Sequence, residues 1–452
     1  MVPLAGECTG ARSASKTRTG PEGAAVIIRG LTDTRPEMPV STAVDPDRIL
    51  AHVEALARCS EQDGALTRVF LSPQGRAAAD LVITWMREAG MSVRMDAIGN
   101  VVGRYEAATP GAPCLMLGSH LDTVRNAGKY DGMLGVVTAI ECVRVLHERG
   151  RRLPFAVEVV GFGDEEGVRF SATLLGSRAV AGTFDPAVLD RRDAEGVSMR
   201  DALARFGLDP NAIPSAARRR DEVLAYVEVH IEQGPVLEAE GLAVGVVTAI
   251  NGFSRLAVAL RGIAGHAGTV PMGLRADALA GAAECVLAVE RIARDGVEVV
   301  GTVGRIEAGP GAINVIPGEA RFTVDMRAPR DADRERAVAA ARAAFAEIAS
   351  RRGLSLAIEP LQESVVAPCA AWLQEQIGAA VEAEGHRLRR LPSGAGHDGM
   401  AMIAIADIGM IFVRCEKGIS HNPAEAITRD DAEAGGRVLL RFIENFRPRA
   451  TP

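Results

Sequence analysis

The stretch from Cys114 to Phe162, CLMLGSHLDTVRNAGKYDGMLGVVTAIECVRVLHERGRRLPFAVEVVGF, indicates the fold class. It begins with a short apolar run, residues 114–117, and ends with a second one, residues 156–162, and both have the length of buried strands. Between them, apolar residues recur with a helical period over residues 134–149, and Gly150 is placed to end that helix. A strand, a helix and a second strand in this order predict a βαβ unit with parallel strands.

The same alternation continues on both sides of this unit, with β-rich runs at residues 101–105, 225–231 and 408–413. Residues 246–361 differ, because they follow the order strand, helix, two strands, helix and strand, which is that of a ferredoxin-like unit. We therefore predict an α/β protein with a mostly parallel central sheet, helices on both of its faces and an inserted ferredoxin-like α+β domain. The strands of the inserted domain are expected at residues 254–261, 298–306, 320–327 and 354–359.

The chain has 452 residues, more than the roughly 250–300 at which a single core usually stops growing. We predict a larger domain formed by residues 41–245 and 362–448, interrupted by a lid domain of residues 246–361. Residues 1–40 are rich in Gly, Pro, Ser and Thr and are expected to be a disordered extension.

Composition excludes several classes of partner. The formal net charge is −7, aromatic residues make up 4%, and no basic arm is present, so nucleic acid is not an expected partner and a small molecule is. The seven cysteines contain no C-x-x-C pair and are typical of buried thiols in a reducing compartment. Neither a signal-type apolar segment nor an 18-residue apolar run occurs, which predicts a cytoplasmic protein without a membrane partner.

Polar motifs follow the predicted strands, at the edge where ligands collect in open α/β sheets. His120 and Asp122 follow the first run, Asp131 precedes the helix, and three consecutive carboxylates, residues 164–166, follow run 156–162. Neighbouring carboxylates raise one another's pKa, and a divalent cation would relieve that conflict. Each motif also has an ordinary explanation when taken alone: a surface His–Asp pair, a helix N-cap for Asp131 and a solvated acidic loop.

Two more histidines extend this pattern. His230 ends run 225–231, and His421 lies in Ser420-His421-Asn422-Pro423 near the end of the chain. With His120, Asp131 and the acidic run, they make a mixed nitrogen and oxygen ligand set suited to zinc or a similar ion. Five such motifs at strand ends are hard to explain as separate caps and core histidines, so the sequence predicts a metal centre.

A second set of polar residues lies in the predicted lid. His266, Asn314 and Arg327 are hydrogen-bond donors rather than metal ligands, and the planar guanidinium of Arg327 suits a carboxylate. Taken alone, Arg327 is equally explained by an ion pair, Asn314 by a turn and His266 by an exposed loop.

The order of the motifs resembles the dinuclear-metal M20 peptidase superfamily, in its hydantoinase/carbamoylase branch. The motifs are GSHLDTV (118–124), DGMLG (131–135), DEEG (164–167), HIEQG (230–234), GHAGT (265–269), GAINVIPGE (311–319), DMR (325–327), GAGHDG (394–399) and SHNPAE (420–425). That branch includes N-carbamoyl-L-amino-acid hydrolases, β-ureidopropionases and allantoate amidohydrolases. The resemblance spans about residues 45–446, and His230 points to the carbamoylase branch because peptidase members often have a carboxylate there.

The resemblance implies two divalent metal ions per subunit, Zn²⁺ or Mn²⁺. It implies these ligands: His120 and His230 for one ion, Glu166 and His421 for the other, and Asp131 as a bridge. Glu165 would be the general base, and Asp122 would orient His120. The implied substrate contacts are His266, which would also stabilise the oxyanion, Asn314, Arg327 and His397, with Gln233 nearby.

The implied reaction is hydrolysis of the C–N bond of a small ureido or carbamoyl carboxylic acid. We expect allantoate as the substrate, because residues 123–131 resemble the allantoate amidohydrolases most closely. An N-carbamoyl-L-amino-acid hydrolase or β-ureidopropionase is the alternative, and a catalytically inactive metal-binding protein of the same fold is the remote one. The resemblance also implies a homodimer whose lid contributes His266 to the partner's site.

Overall fold

The computed structural model, which describes residues 43–449, contains two large β-sheets and a two-stranded sheet of β8 and β11. The strands are β1 (Ser92–Met95), β2 (Val101–Tyr105), β3 (Cys114–His120), β4 (Ala156–Phe162), β5 (Val223–Ile231), β6 (Val244–Ile250), β7 (Gly252–Arg261), β8 (Gly265–His266), β9 (Val300–Thr302), β10 (Ile306–Gly309), β11 (Val315–Ile316), β12 (Glu319–Ala328), β13 (Ser355–Ser364), β14 (Ala367–Pro368), β15 (Arg390–Ser393) and β16 (Ile408–Val413).

The helices that cover these sheets are α1 (Pro46–Ala57), α2 (Pro73–Glu88), α3 (Met133–Glu148), α4 (Leu175–Val180), α5 (Met199–Phe206), α6 (Val236–Ala239), α7 (Ala278–Asp295), α8 (Asp331–Arg352), α9 (Ala371–Ala383), α10 (Gly399–Met402) and α11 (Arg429–Asn445). Several begin at a side chain that accepts hydrogen bonds from the first amides, such as Ser72 for α2 and Thr428 for α11. The cap of α1 is Asp45, whose carboxylate accepts from the backbone N–H groups of Asp47 and Arg48, and Pro46 occupies the first helical position, where no N–H is needed.

The larger sheet has the strand order β1-β2-β4-β3-β5-β16-β6-β14, with β15 also paired to β6. Its middle strands, β4, β3, β5 and β16, run parallel. The predicted βαβ unit is confirmed, since β3 and β4 pair from Cys114 with Ala156 to His120 with Phe162, and α3 connects them. Strand β3 extends beyond the predicted residues 114–117, which makes His120 its last residue.

Both faces of the larger sheet are covered, as predicted. Leu115 and Leu117 of β3 pack into a core that includes side chains of α1, α2, α3, α9 and α11. Met116, between them, packs into the opposite core with Tyr226 and Phe412. Successive strand residues point to opposite faces of the sheet. A strand that is covered on both faces therefore needs a continuous run of apolar residues.

The smaller sheet has the strand order β10-β12-β7-β13, with β9 also paired to β12, and its strands are antiparallel. Helices α7 and α8 cover one face, and the arrangement matches the predicted ferredoxin-like unit. The prediction of one strand over residues 298–306 is wrong. Thr302 pairs with Asp325 and Ile306 with Phe322, so three residues oppose two, and this bulge divides the strand into β9 and β10.

The predicted extension, residues 1–40, lies outside the described residues, and the domain limits at residues 246 and 361 stay a prediction. Within residues 43–449, no helix combines the length and the apolar character that crossing a bilayer requires. The described cysteines are free thiols, in line with the expectation, and the cytoplasmic location stays a prediction.

Candidate metal centre

The predicted metal ligands lie at one edge of the larger sheet. His120 is the last residue of β3 and His230 the last but one of β5. Glu165 and Glu166 follow β4 closely, and His421 lies in the loop that follows β16. Because β4, β3, β5 and β16 are parallel neighbours, their carboxyl ends meet at the same edge.

Asp131 lies at the centre of this cluster. Its Oδ1 is 3.3 Å from Nε2 of His120 and 3.2 Å from Nε2 of His230. Its Oδ2 is 3.2 Å from Nε2 of His421, which lies 3.3 Å from Oε1 of Glu166. Two groups that could hold a metal therefore share Asp131, one with His120 and His230 and the other with Glu166 and His421.

The chemistry of these donors fits a divalent cation. Nδ1 of His120 and Nδ1 of His230 each lie 3.0 Å from a backbone carbonyl, which places the proton of a neutral imidazole on Nδ1. The Nε2 lone pairs then face Oδ1 of Asp131. Such lone pairs repel at these distances unless a proton or a metal cation lies among them, and imidazole nitrogen and carboxylate oxygen are both ligands of zinc and similar ions.

The charges of the cluster also shift its pKa values. Burial by itself would raise the pKa of Asp131, but three surrounding imidazoles hold it well below its usual range. Burial lowers the pKa of His120, yet Asp131 and Glu165 raise it well above its usual range. The carboxylates of Asp131 and Glu166 raise the pKa of His421 to about 10. The cluster therefore favours positive charge at its centre.

Glu165 lies beside these ligands, and its side chain lines the cavity above them. The backbone N–H groups of Glu165 and Glu166 donate to the Asp122 carboxylate, at 3.0 and 3.2 Å. The carbonyl of Asp122 is the group 3.0 Å from Nδ1 of His120, whereas its carboxylate is 3.7 Å away. Asp122 thus holds both the acidic loop and the His120 ring.

The pKa of Glu165 suits proton transfer. Burial raises it well above its usual range, His120 opposes that rise, and the carboxylates of Glu166 and Asp398 add to it. A raised pKa makes this carboxylate a stronger base than a free one, which suits a group that accepts a proton.

Three side chains fix Asp131 itself. The buried carboxylate of Glu425 accepts from the backbone N–H groups of Tyr130, at 2.7 Å, and Asp131, at 3.1 Å. The Ser420 hydroxyl and the Gln233 amide donate to Oδ2 of Asp131, at 2.6 and 2.8 Å. Sequence reasoning gave Glu425 and Ser420 no role, although both lie in the SHNPAE motif, and it placed Gln233 near the substrate rather than on Asp131.

Backbone strain concentrates at this edge of the sheet. Asp164, Gln233 and His421 have φ of 60, 55 and 54°, in the left-handed region that L side chains rarely adopt. Gly132, with φ of 76°, follows Asp131 directly, and a Cβ there would lie 2.5 Å from the His120 ring. The close approach of this loop to the imidazole therefore requires glycine.

Arg68, to which sequence analysis assigned no role, holds the residues after His120 in place. Its side chain is fully buried, and its Nε donates to the carbonyl of Leu121 at 2.7 Å. Its Nη1 donates to the carbonyl of Leu56 at the end of α1, and its backbone N–H donates to Oγ1 of Thr123. Burial lowers the pKa of Arg68 to about 10, which leaves it charged at neutral pH.

His397, a predicted substrate contact, lies behind the metal cluster. Its side chain is 1% exposed, its ring contacts that of His230 edge to face with centroids 4.5 Å apart, and its Nε2 is 2.7 Å from the Ser393 hydroxyl. In this arrangement His397 contacts a predicted metal ligand and does not line the cavity. Its contact with substrate stays a prediction.

A cavity of about 300 Å³ opens onto the cluster, and the smaller sheet supplies part of its wall through Phe253 and Arg327. Arg327 forms a two-pronged ion pair with Asp325, with both N···O distances 2.9 Å, and donates to the carbonyl of Gly394 at 2.8 Å. The ion pair that was the alternative explanation is therefore present. The role of Arg327 as a carboxylate-binding fork stays a prediction.

His266 and Asn314 lie together but outside the wall of this cavity. His266 pairs with Val315 across β8 and β11, and the carbonyl of Asn314 accepts from the backbone N–H of Ala267 at 2.9 Å. Both side chains are exposed. Their predicted contact with substrate therefore stays a prediction, and within this chain they are not beside the metal cluster.

Comparison with known proteins fits this geometry. The model of peptidase family M20/M25/M40 matches residues 116–445. The chain belongs to this family. It is 43% identical to the N-carbamoyl-L-amino acid amidohydrolase of Geobacillus stearothermophilus, over 88% of this chain and 98% of the relative. It is 40% identical to the allantoate deiminase of Arabidopsis thaliana, over 89% of this chain and 83% of the relative.

Solved structures agree with the M20 assignment. A hydantoinase/carbamoylase family amidase from Burkholderia multivorans is similar with a TM-score of 0.84 and 35% identity, over 89% of this chain and 98% of that chain. The predicted hydantoinase/carbamoylase branch is confirmed. Because the chain belongs to the M20 family and is 43% identical to a relative named as an amidohydrolase, the predicted enzyme class is confirmed at the level of the family.

Proposed function

We propose that this M20 family member hydrolyses the C–N bond of a small ureido or carbamoyl carboxylic acid, using two divalent metal ions. The observation that supports this most directly is the pair of ligand groups that share Asp131, with Glu165 beside them. Relatives named N-carbamoyl-L-amino acid amidohydrolase and allantoate deiminase support the same class of substrate.

The side chains take separate roles in this proposal. His120 and His230 would hold one ion, Glu166 and His421 would hold the other, and Asp131 would be a ligand shared by both. When bound, Zn²⁺ or Mn²⁺ ions polarise the scissile carbonyl and lower the pKa of water.

Proton transfer and oxyanion stabilisation are assigned to two further residues. Glu165 takes a proton from the attacking water and gives it to the departing nitrogen, as the new C–O bond replaces the C–N bond. His266 donates to the oxyanion of the tetrahedral intermediate.

Allantoate is the first candidate substrate, on the similarity of residues 123–131 to allantoate amidohydrolases. N-carbamoyl-L-amino acids and β-ureidopropionate are the second. A panel of these acids separates them, with ammonia release as the readout, and a dipeptide is the control, with release of free amino acids as its readout. We expect release from at least one ureido acid and no cleavage of the dipeptide. Dipeptide cleavage alone would contradict the proposal, and a metal-loaded protein inactive on the whole panel would favour the non-catalytic alternative.

We further propose that the protein is a homodimer in which His266 completes the partner's site. His266 and Asn314 lie away from the cavity of their own chain, and three strongly exposed apolar side chains, Ile263, Met272 and Ile313, lie near them in sequence. Exposed apolar groups of this kind are typical of a surface that another chain covers. A two-fold axis would place each lid against the other subunit.

Subunit complementation tests this arrangement. If His266 acts in the partner's site, mixing inactive His266→Ala with inactive Glu165→Gln subunits should restore about a quarter of wild-type activity, from one intact site in each mixed dimer. A mixture of Glu165→Gln with Asp131→Asn is the matched control and should stay inactive, because both groups belong to one chain's cluster. Confirmed subunit exchange without recovered activity in the first mixture would show that His266 acts within its own chain or not at all.

A further inference from the structure

The loop that carries His421, residues 416–421, has a strained backbone. Lys417 and His421 have φ of 55 and 54°, in the left-handed region that residues with a Cβ rarely adopt, and Gly418 has φ of 64°. Such a backbone persists only where the surrounding structure holds it in place. The His421 side chain is also 49% exposed, more than that of any other predicted metal ligand. Its position therefore depends on what supports the loop.

The support is a turn formed by residues 232–235, together with the start of α6. Gly418 lies so close to this turn that a Cβ there would be 2.4 Å from the carbonyl carbon of Gly234. The backbone N–H of Lys417 donates to the carboxylate of Glu238, in α6, at 2.9 Å. The strained part of the loop is therefore packed against the turn and hydrogen-bonded to the helix that follows it.

The same turn reaches the side of Asp131 that faces His421. The Gln233 amide donates to Oδ2 of Asp131 at 2.8 Å and to the Ser420 hydroxyl at 3.2 Å. That hydroxyl donates to the same carboxylate oxygen at 2.6 Å. Oδ2 is the oxygen 3.2 Å from Nε2 of His421, whereas Oδ1 faces the other two histidines. The turn therefore organises the ligands of the second ion, which is the one that Glu166 and His421 would hold.

Glu232 fixes the shape of this turn. Its buried carboxylate accepts from the backbone N–H of Val236 through Oε1, at 2.8 Å, and from that of Leu237 through Oε2, at 2.9 Å. The chain folds tightly over the carboxylate, since a Cβ at Gly234 would lie 3.1 Å from Oε1. Leu237 is fully buried in the core beneath. Glu232 itself does not line the metal cavity, so its effect on the site runs through the turn.

We infer that Glu232 is a positioning residue for the second ion, an inference that rests on the two-metal part of the proposed function. By fixing the turn of residues 232–235, its carboxylate holds the His421 loop and one oxygen of Asp131 where that ion requires them. The first ion depends on it less, because its two histidines are held within the paired strands β3 and β5. Replacing a group that orients metal ligands typically costs about 10- to 100-fold in metal affinity.

Calorimetric titration of metal-free protein with Zn²⁺ tests this role, and we expect wild type to bind two ions per chain. Glu232→Gln keeps the size of the side chain but replaces one accepting oxygen by an N–H donor. The affinity for one ion should then fall about 10- to 100-fold, and that for the other should change by less than about twofold. In His421→Ala, which lacks a ligand of the second ion, adding Glu232→Gln should leave the affinity for the remaining ion unchanged.

Two further variants complete the titration. Glu416→Gln, the matched control, makes the same change within the loop, on an exposed carboxylate that pairs with the exposed ammonium of Lys417, and should bind both ions as wild type does. If Glu232→Gln does not fold, Glu232→Asp decides, since it keeps the charge but shortens the side chain and should weaken the same ion alone. Equal weakening of both ions, or a further loss in the double variant with His421→Ala, would overturn the inference.

Failure of the two-metal proposal would be seen separately, in the wild-type titration. If wild type binds fewer than two ions, trypsin cleavage of the metal-free protein after Lys417 replaces the titration. Glu232→Gln should be cut there at least about tenfold faster than wild type, with cleavage elsewhere unchanged, because the loop alone loses its support. That result would support the positioning of the His421 loop by Glu232 without a second ion. Unchanged cleavage after Lys417, or an equal rise at every site, would overturn it.

Discussion

Replacing Glu165 by glutamine should lower kcat by at least about 100-fold and leave the bound metal in place. Glutamine keeps the size of the side chain but cannot accept the proton that the proposed reaction moves from water to nitrogen. The surrounding ligands, His120, His230 and Asp131, keep their positions because Asp122 binds the backbone of residue 165 rather than its side chain. The measurement is kcat on the best ureido acid, with metal analysis of the same sample.

The neighbouring Glu166→Gln is the matched control. It makes the same chemical change one residue later, on the carboxylate that lies 3.3 Å from His421. It should lose metal together with activity. Because Glu165 also lies with His120 and Glu166 in a group that could hold a metal, the metal content decides between the roles. Loss of metal in Glu165→Gln and its retention in Glu166→Gln would show that the two roles are exchanged.

That the candidate ligands lie together could be predicted from sequence, because they follow apolar strands. Once β3 and β5 are recognised, parallel pairing brings His120 and His230 to one edge of the sheet, whatever the details of packing. An ion pair was the alternative explanation for Arg327, and its partner, Asp325, lies two residues earlier on the same face of the strand. The sequence could not show whether this ion pair leaves the Arg327 guanidinium free to bind another carboxylate.

Other parts of the site depend on contacts between distant segments. Glu425 binds the backbone of Tyr130 and Asp131 across 295 and 294 residues of sequence, and no local pattern shows that. The burial of Arg68 follows from where α1 ends relative to β3. His397 lies in a motif of polar residues, yet the fold places it behind His230. Sequence reasoning identified chemically suitable residues more readily than it identified their partners.

Removal of metal should abolish activity and return of a divalent ion should restore it. Two imidazole nitrogens and a carboxylate oxygen meet within 3.3 Å around Oδ1 of Asp131, an arrangement that a cation stabilises. Bound divalent ions would lower the pKa of the attacking water by several units. The side chains alone cannot lower it by that much. Among residues 43–449, the buried cysteines are too high in pKa to act as the nucleophile instead, since burial raises the pKa of Cys369 to about 12.

The most direct measurement is ammonia release from the best ureido acid before chelation, after exhaustive dialysis against a chelator, and after addition of Zn²⁺ or Mn²⁺, with metal content determined at each stage. The two-metal assignment predicts activity that falls to background as the metal is removed and returns as the content approaches two ions per chain. The assignment would be contradicted by full activity in a sample that metal analysis shows to be free of divalent ions.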